Sequence, residues 1–105
     1  CTTTCEALWM GVPSLTWAGE TYLSRQSTSI LRTVGLEECV GHDVSDYVAR
    51  AVGLAQDRAR LADLRAGLRA RTAASPLCDG RRFANNLMHL LRGVWRDWCN
   101  GAKAT

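Results

Sequence analysis

Apolar residues recur with helical spacing in five stretches of the chain and form short β-prone runs in two others. Strands and helices alternate in the first half, an order typical of a parallel sheet with crossover helices. Helices are predicted over residues 2–11 and 22–34, from Ser45, from near Asp57 to Ser75, and from about Asp79 to Cys99. Strands are predicted at residues 13–17 and around Cys39-Val40, the second from a weaker pattern.

The helix starts and stops come from local signals. Gly11 and Gly35 follow apolar runs and are typical of helix ends, and Pro76 disfavours helical backbone at Ser75. Thr2, Thr3 or Thr4 is expected to cap the first helix, and Glu6, three residues after Thr3, fits a capping box.

Each helix after the first has a predicted buried face. The second helix is expected to bury Leu23, Ser27, Ile30, Leu31 and Val34. The third helix is expected to be capped by Ser45 and to bury Val48, Ala51, Val52 and Ala55. The fourth is expected to bury Leu61, Leu64 and Leu68, and the last helix Phe83, Leu87, Leu90, Leu91, Val94 and Trp98.

Two short parallel strands are too few for a stable sheet, because such strands are buried on both faces and need neighbours. The remaining strands are therefore expected to precede residue 1. The chain also begins with Cys1 rather than Met, so we expect a processed chain or a piece of a longer protein.

The composition narrows the class of protein. The chain has 105 residues, of which 47% are hydrophobic and 22% charged, which indicates one small globular domain and excludes a disordered chain. No run reaches the ~18 apolar residues of a membrane span, and no signal peptide is recognisable. The five cysteines are widely spaced without a Cys-x-x-Cys pair, which argues against a disulfide framework or a zinc site. We expect reduced thiols that pack as small hydrophobic groups in a cytoplasmic protein.

Charge is unevenly distributed. Residues 1–49 contain two arginines and six acidic residues, whereas residues 50–105 contain eleven basic and four acidic residues. A solvated arginine-rich helix face is the favoured interpretation, and nucleic-acid binding is disfavoured because no motif accompanies the arginines. The alternative is a free-standing basic helical module that binds a nucleic acid or an acidic protein.

Thr2, Thr3 and Thr4 form the start of a helix, where unpaired backbone N–H groups favour phosphate binding. Threonine hydroxyls add donors, and Glu6 could accept hydrogen bonds from ribose hydroxyls. A simple helix cap explains the same residues.

The run Cys-Thr-Thr-Thr-Cys-Glu-Ala-Leu-Trp-Met-Gly-Val-Pro, followed by Ser-Leu-Thr-Trp-Ala-Gly-Glu-Thr-Tyr-Leu-Ser-Arg, resembles the C-terminal part of the O-linked N-acetylglucosamine transferase and SPINDLY-like glycosyltransferases, family 41. The similarity continues through Val34-Gly35-Leu36, Asp46-Tyr47-Val48, Ser75-Pro76-Leu77 and the last helix with Trp95 and Trp98. It implies an α/β fold, in which residues 1–105 are part of the Rossmann-like, nucleotide-binding C-terminal lobe of a GT-B catalytic domain, mostly helical here. The N-terminal lobe and tetratricopeptide repeats would lie outside this sequence.

The resemblance also implies roles for individual residues. Thr2 and Thr3 would bind the diphosphate of a nucleotide sugar, and Glu6, at a position where relatives also have Asp, would bind its ribose. Cys1 stands where animal relatives have His, and a thiol is a weaker donor. The catalytic residues would lie upstream of residue 1.

The implied activity is transfer of a sugar to Ser or Thr of acceptor proteins, which bind through the missing N-terminal regions. UDP-N-acetylglucosamine is the expected donor, with GDP-fucose as the alternative. Neither a cofactor nor a metal is expected, and the 105 residues alone should be inactive.

Three further sets of residues are given non-catalytic roles. Glu20 and Arg25 lie in a loop that resembles one beside the active site, and are expected to stabilise that loop and a helix cap. His42 and His89 are expected to be surface or packing residues, since neither has an acidic partner at a spacing that indicates a catalytic pair. The tryptophans, Trp9, Trp17, Trp95 and Trp98, are expected in the core or at a lobe interface.

Overall fold

The computed structural model describes residues 1–101, which form five α-helices and a two-stranded sheet. In chain order these are α1 (Thr2–Trp9), β1 (Thr16–Trp17), α2 (Tyr22–Thr33), a 3₁₀ turn (Glu37–Cys39), β2 (Val40–Gly41), α3 (Val44–Gln56), α4 (Arg58–Ala73), a second 3₁₀ turn (Pro76–Cys78) and α5 (Gly80–Cys99). The predicted order of helices and strands is confirmed, although each strand has only two residues.

The two strands are parallel, with Thr16 opposite Val40 and Trp17 opposite Gly41. The connection from β1 through α2 to β2 is therefore a crossover, as predicted. Because α2 and α3 each follow a strand, both helices begin at the carboxyl edge of the sheet. Ligands of open α/β sheets bind at this edge.

One hydrophobic cluster joins α1, α2 and α4. Leu8 of α1, Leu31 of α2 and Leu68 of α4 are almost fully buried in it. This confirms the predicted inner faces of these helices at Leu31, Val34, Leu64 and Leu68, whereas Leu61 is only partly buried. The complete cluster comprises Leu8, Leu31, Val34, Leu36, Cys39, Val40, Leu64 and Leu68.

Arginines of α4 fasten the ends of the two helices that pack on it. Arg69 donates from Nε to the carbonyl oxygen of Trp9 at 2.7 Å, and its guanidinium lies 5.5 Å from the centre of the Trp9 ring. Arg71 donates to the carbonyl oxygen of Gly35. Since helix C-termini carry unpaired carbonyls and partial negative charge, both contacts stabilise α1 and α2.

Two predicted helix caps are wrong. Helix α1 begins at Thr2 as predicted, but its N-cap is Cys1 and not a threonine, no side chain caps it, and the Thr3–Glu6 capping box is not formed. Helix α3 is capped by Asp43, whose carboxylate accepts from the backbone N–H of Asp46, and not by Ser45. Asp caps a helix as well as Ser does, so the earlier residue with extended backbone begins the helix.

Several predicted buried faces are also wrong. Leu23 is 77% exposed, and Val48 and Val52 are about half exposed. Helix α3 instead turns Tyr47 toward Gly41 and packs Leu54 against the core. Tyr47 and Leu54 are seven residues apart and so share one face of the helix.

Helix α5 is amphipathic, but the described residues leave its apolar face exposed, from Phe83 to Trp98. It packs mainly against the second 3₁₀ turn and projects from the body of the domain. All four tryptophans are between 44% and 67% exposed, so within residues 1–101 none of them is a core residue, and a place at a lobe interface stays a prediction. None of the helices in this part of the chain is long and apolar enough to cross a membrane.

The five cysteines are unpaired. Cys39 is buried in the core as predicted, and desolvation by burial raises the pKa of its thiol. Cys1, Cys78 and Cys99 are exposed, so the expectation that they pack as hydrophobic groups is wrong for these three.

Candidate functional site

The exposed face of α1 carries the residues that the sequence predicts to bind the nucleotide sugar. Glu6 lies near the centre of this face, and Thr2 and Thr3, one turn earlier, lie on either side of it, because residues three and four apart share a helix face. All three are exposed. Thr4 points the other way, and its hydroxyl lies 3.0 Å from that of Ser27 in α2. Of the three threonines, Thr2 and Thr3 are thus available to a ligand, whereas Thr4 joins two helices.

The backbone at the start of α1 is also available. The first hydrogen bond of the helix runs from the N–H of Cys5 to the carbonyl of Cys1, at 3.1 Å. The N–H groups of Thr2, Thr3 and Thr4 therefore have no acceptor within the helix, and no side chain caps them. Unpaired N–H groups and the helix dipole together favour an anion at this end of α1.

Cys1 lies between α1 and α2. Its thiol donates to Oε1 of Gln26, and with Tyr22 and Arg25 it lines a cleft of about 390 Å³. Cys1 therefore borders the N-terminal end of α1, and its single S–H donor is used by Gln26.

Arg25 belongs to the wall of this cleft and not to a helix cap. The cap of α2 is made by Thr21 and Ser24, each of whose hydroxyls accepts the backbone N–H of the other. The expected capping role of Arg25 is therefore wrong, and the structure places its positive charge beside Cys1. The Thr-x-x-Ser spacing of the true cap is readable in the sequence.

Glu6 borders a second groove, of about 440 Å³, between α1 and the end of α4. Cys5, Trp9, Met10 and Leu77 are among its other lining residues, and the surface is mostly apolar. Glu6 is thus a carboxylate at the rim of a groove, with Thr2 and Thr3 next to it along the helix.

His42 has an acidic partner, contrary to expectation. Asp46 accepts through Oδ2 from the backbone N–H of His42 at 2.9 Å and from Nε of Arg50 at 2.9 Å, and His42 Nδ1 lies 2.8 Å from the same oxygen. Hydrogen bonds from His42, followed by the one from Arg50, hold the pKa of Asp46 well below its usual range. The spacings of four residues in His42–Asp46 and Asp46–Arg50 are the signal that was overlooked. The trio fixes the loop that follows β2.

The basic second half of the chain is partly neutralised by the acidic first half. Arg60 pairs with Glu38, and Arg50 pairs with Asp46 and also donates to the carbonyl of Glu38 at 3.1 Å. With Arg69 and Arg71 bound to carbonyl groups, the prediction of a merely solvated arginine face is wrong for these four residues. Over residues 1–101, no group of His, Cys, Asp and Glu side chains could hold a metal ion.

Comparison with known proteins gives consistent matches. The family model described as "Glycosyl transferase family 41" matches residues 1–87. A tomato (Solanum lycopersicum) protein named "Probable UDP-N-acetylglucosamine--peptide N-acetylglucosaminyltransferase SPINDLY" is 44% identical over 95% of this chain, which corresponds to 11% of that protein. The UDP-N-acetylglucosamine--peptide N-acetylglucosaminyltransferase of Caenorhabditis elegans is 33% identical over 95% of this chain and 9% of its own length.

A solved structure agrees with the sequence relatives. A mutant of the O-GlcNAc transferase of Thermobaculum terrenum superposes with a TM-score of 0.86 at 40% identity, over 98% of this chain and 20% of that one. The mostly helical fold with its small parallel sheet therefore matches one fifth of that transferase. The chain spans about a tenth of the length of the curated relatives it matches.

Proposed function

This chain belongs to glycosyl transferase family 41, and from that membership we propose that it forms part of the nucleotide-sugar site of a protein glycosyltransferase. The donor is UDP-N-acetylglucosamine, and the acceptors are Ser and Thr hydroxyls of proteins, in keeping with the names of the relatives. Residues 1–105 belong to the C-terminal, Rossmann-like lobe of a GT-B domain, which is completed by the rest of a longer polypeptide. The parallel strands and their crossover helix support this placement.

The diphosphate of the donor binds at the start of α1. The observation that carries this assignment is the conjunction of exposed Thr2 and Thr3 hydroxyls with three backbone N–H groups that have no helical acceptor. A phosphate oxygen accepts both kinds of hydrogen bond, and the helix dipole favours its charge. The hydroxyl of Thr4 is directed to Ser27 and takes no part in binding, so Thr4 contributes only its backbone N–H.

Glu6 binds the ribose. Its carboxylate is exposed one turn further along the same face of α1. A nucleotide whose diphosphate lies on Thr2 and Thr3 therefore brings its ribose toward Glu6. Cys1, at the border of the cleft with Arg25, contacts the donor only weakly because a thiol is a poor donor.

The reaction needs stabilisation of the leaving diphosphate, whose negative charge grows as the bond to the sugar breaks. Fixed hydrogen-bond donors and a helix N-terminus supply this without a metal ion, because they already point to where the charge develops. Thr2 and Thr3 therefore act mainly in the transition state, whereas Glu6 stabilises the ground state and the transition state equally.

Alanine variants of Thr2 and Thr3 test the assignment in the full-length polypeptide. Loss of a hydrogen bond to a charged group costs roughly 1.5–3 kcal/mol, so each variant should lower kcat/KM about ten- to a hundredfold, with kcat reduced. Glu6→Ala should mainly raise the KM for the donor, and Glu6→Asp should have a small effect.

The matched control is Thr4→Val, one residue further along. Because Thr4 contacts Ser27 and not the open face, this variant should lower the melting temperature and leave the kinetics unchanged. If Thr2→Ala and Thr3→Ala behave like Thr4→Val, with reduced stability and normal kinetics, the diphosphate assignment is wrong.

A further inference from the structure

A second, more polar pocket lies on the outer side of α2. Residues three and four apart on that helix place Arg25, Thr28, Ser29, Arg32 and Thr33 on one wall, opposite the Ala18-Gly19 backbone that follows β1. The pocket has a volume of about 430 Å³. It is lined by two guanidinium groups and three hydroxyls, with no acidic residue.

Thr28 is the unusual member of this wall. The residue is only 4% exposed, and its Oγ1 is buried without a hydrogen-bond partner in residues 1–101. Buried hydroxyls are nearly always paired. Two other helical threonines of this protein, Thr33 and Thr72, donate to the carbonyl four residues before them at 2.8 Å. Thr28 forms no such bond. Because its Oγ1 is covered, the side chain must rotate about χ1 before the hydroxyl can contact a group in the pocket.

The charges of the pocket point to an anion. Arg25 forms no ion pair with any residue of the described range. Arg32 bonds Glu37 through Nε, at 3.1 and 3.2 Å, so its bonds to Glu37 do not use the two terminal nitrogens. Guanidinium groups match the oxygen spacing of phosphate, and a hydroxyl supplies a further donor.

We propose that the pocket lined by Arg25, Thr28 and Arg32 binds a phosphate group. Arg25 and Arg32 neutralise its charge, and the Thr28 hydroxyl donates to one of its oxygens. No residue of α1 lines this pocket, so the proposal does not depend on the diphosphate assignment to Thr2 and Thr3, although Arg25 also lines the cleft that Cys1 borders. Its volume falls within the range of small-molecule pockets and exceeds that of one phosphate, which leaves room for an organic group. Free phosphate and a phosphorylated small molecule share this chemistry.

Titration of the full-length polypeptide with inorganic phosphate tests the site, with binding followed by calorimetry. Saturating UDP is present throughout, so that the diphosphate site is occupied. We expect saturable binding that Arg25→Gln weakens at least tenfold. Thr28→Val, which keeps the shape of the side chain, should weaken it severalfold. Arg92→Gln, which removes a charge from α5 instead, should leave the affinity unchanged.

The melting temperature without phosphate separates a ligand contact from a structural one. Thr28→Val removes an unpaired buried hydroxyl, so the ligand-free variant should melt at the same or a higher temperature. A titration with glucose 1-phosphate identifies the source: tighter binding than phosphate indicates a phosphorylated small molecule, and equal binding indicates the free ion.

Two results would overturn the proposal. One is absence of saturable phosphate binding in the presence of UDP, which would also follow if another segment of the polypeptide filled the pocket. The other is binding that neither Arg25→Gln nor Thr28→Val weakens. Phosphate that binds only when UDP is absent would refute this site but support the diphosphate site, so the two proposals fail separately.

Discussion

Replacement of Gly11 by alanine tests the junction that holds the candidate site on the domain. Gly11 ends α1 with a backbone φ of 77°, in the left-handed region, and a methyl group there would lie 2.7 Å from the carbonyl oxygen of Arg65 in α4. The conformation costs about 1–2 kcal/mol for a residue with a side chain. The collision with a backbone atom adds about 1–3 kcal/mol, because α4 must shift to relieve it.

Together these costs lower the free energy of unfolding by about 2–5 kcal/mol, a large part of the roughly 5–15 kcal/mol of a small domain. Urea denaturation followed by far-UV circular dichroism measures the change, provided that the slope with denaturant is the same for each variant. The melting temperature should fall by roughly 8 °C or more.

Two other glycines provide matched controls. Gly35 has a φ of 78°, but the nearest atom to its added methyl would be a terminal nitrogen of Arg71, on a flexible side chain. Gly35→Ala should therefore cost about 1–2 kcal/mol, mainly for the backbone. Gly67 lies within α4 with open space around it, so Gly67→Ala should stabilise by about 0.5–1 kcal/mol. If Gly11→Ala is no less stable than Gly35→Ala, the close packing of α1 on α4 is refuted.

Three shorter predictions concern charge and exposed surface. The lowered pKa of Asp46 stabilises the fold above pH about 4, and this contribution is lost as the pH falls. The melting temperature of Asp46→Asn should therefore fall less on acidification than that of Asp63→Asn. Equal falls in the two variants would contradict this prediction. The exposed apolar face of α5 should cause the isolated chain to self-associate, which light scattering detects. Leu90→Glu should reduce the scattering, whereas Asn85→Glu, on the other face of the helix, should not. Equal scattering of the two variants would contradict this prediction. Binding to duplex DNA should be weak and decline steeply with salt, since several arginines are already bound to groups within this chain. Sub-micromolar affinity at about 200 mM salt would instead support the basic binding module.

Local signals predicted most element boundaries. Gly11 and Gly35 end their helices, Asp57 and Asp79 cap α4 and α5, and Pro76 follows the end of α4. Such signals are readable because a cap or stop depends on a few neighbouring residues. They failed at α1, where Cys1 precedes three threonines, and at α3, where Asp43 and Ser45 could each begin the helix.

The candidate site was predicted only in part. Motif resemblance identified Thr2, Thr3 and Glu6, and the structure places all three on one exposed face. The inward direction of Thr4 and the pocket at Thr28 did not follow from sequence, because they depend on how α1, α2 and the loop after β1 pack together.

The sequence by itself determined which segments are helical, that the strands are parallel and which family the chain resembles, because these follow from local backbone preferences, order along the chain and motif. Tertiary structure alone decided which side of α3 packs against the core, that Arg69 and Arg71 bind helix ends, and that the hydroxyl of Thr28 is left unpaired. An amphipathic pattern permits several rotations of a helix against its neighbours, and only the shape and charge of the packed neighbours select one of them.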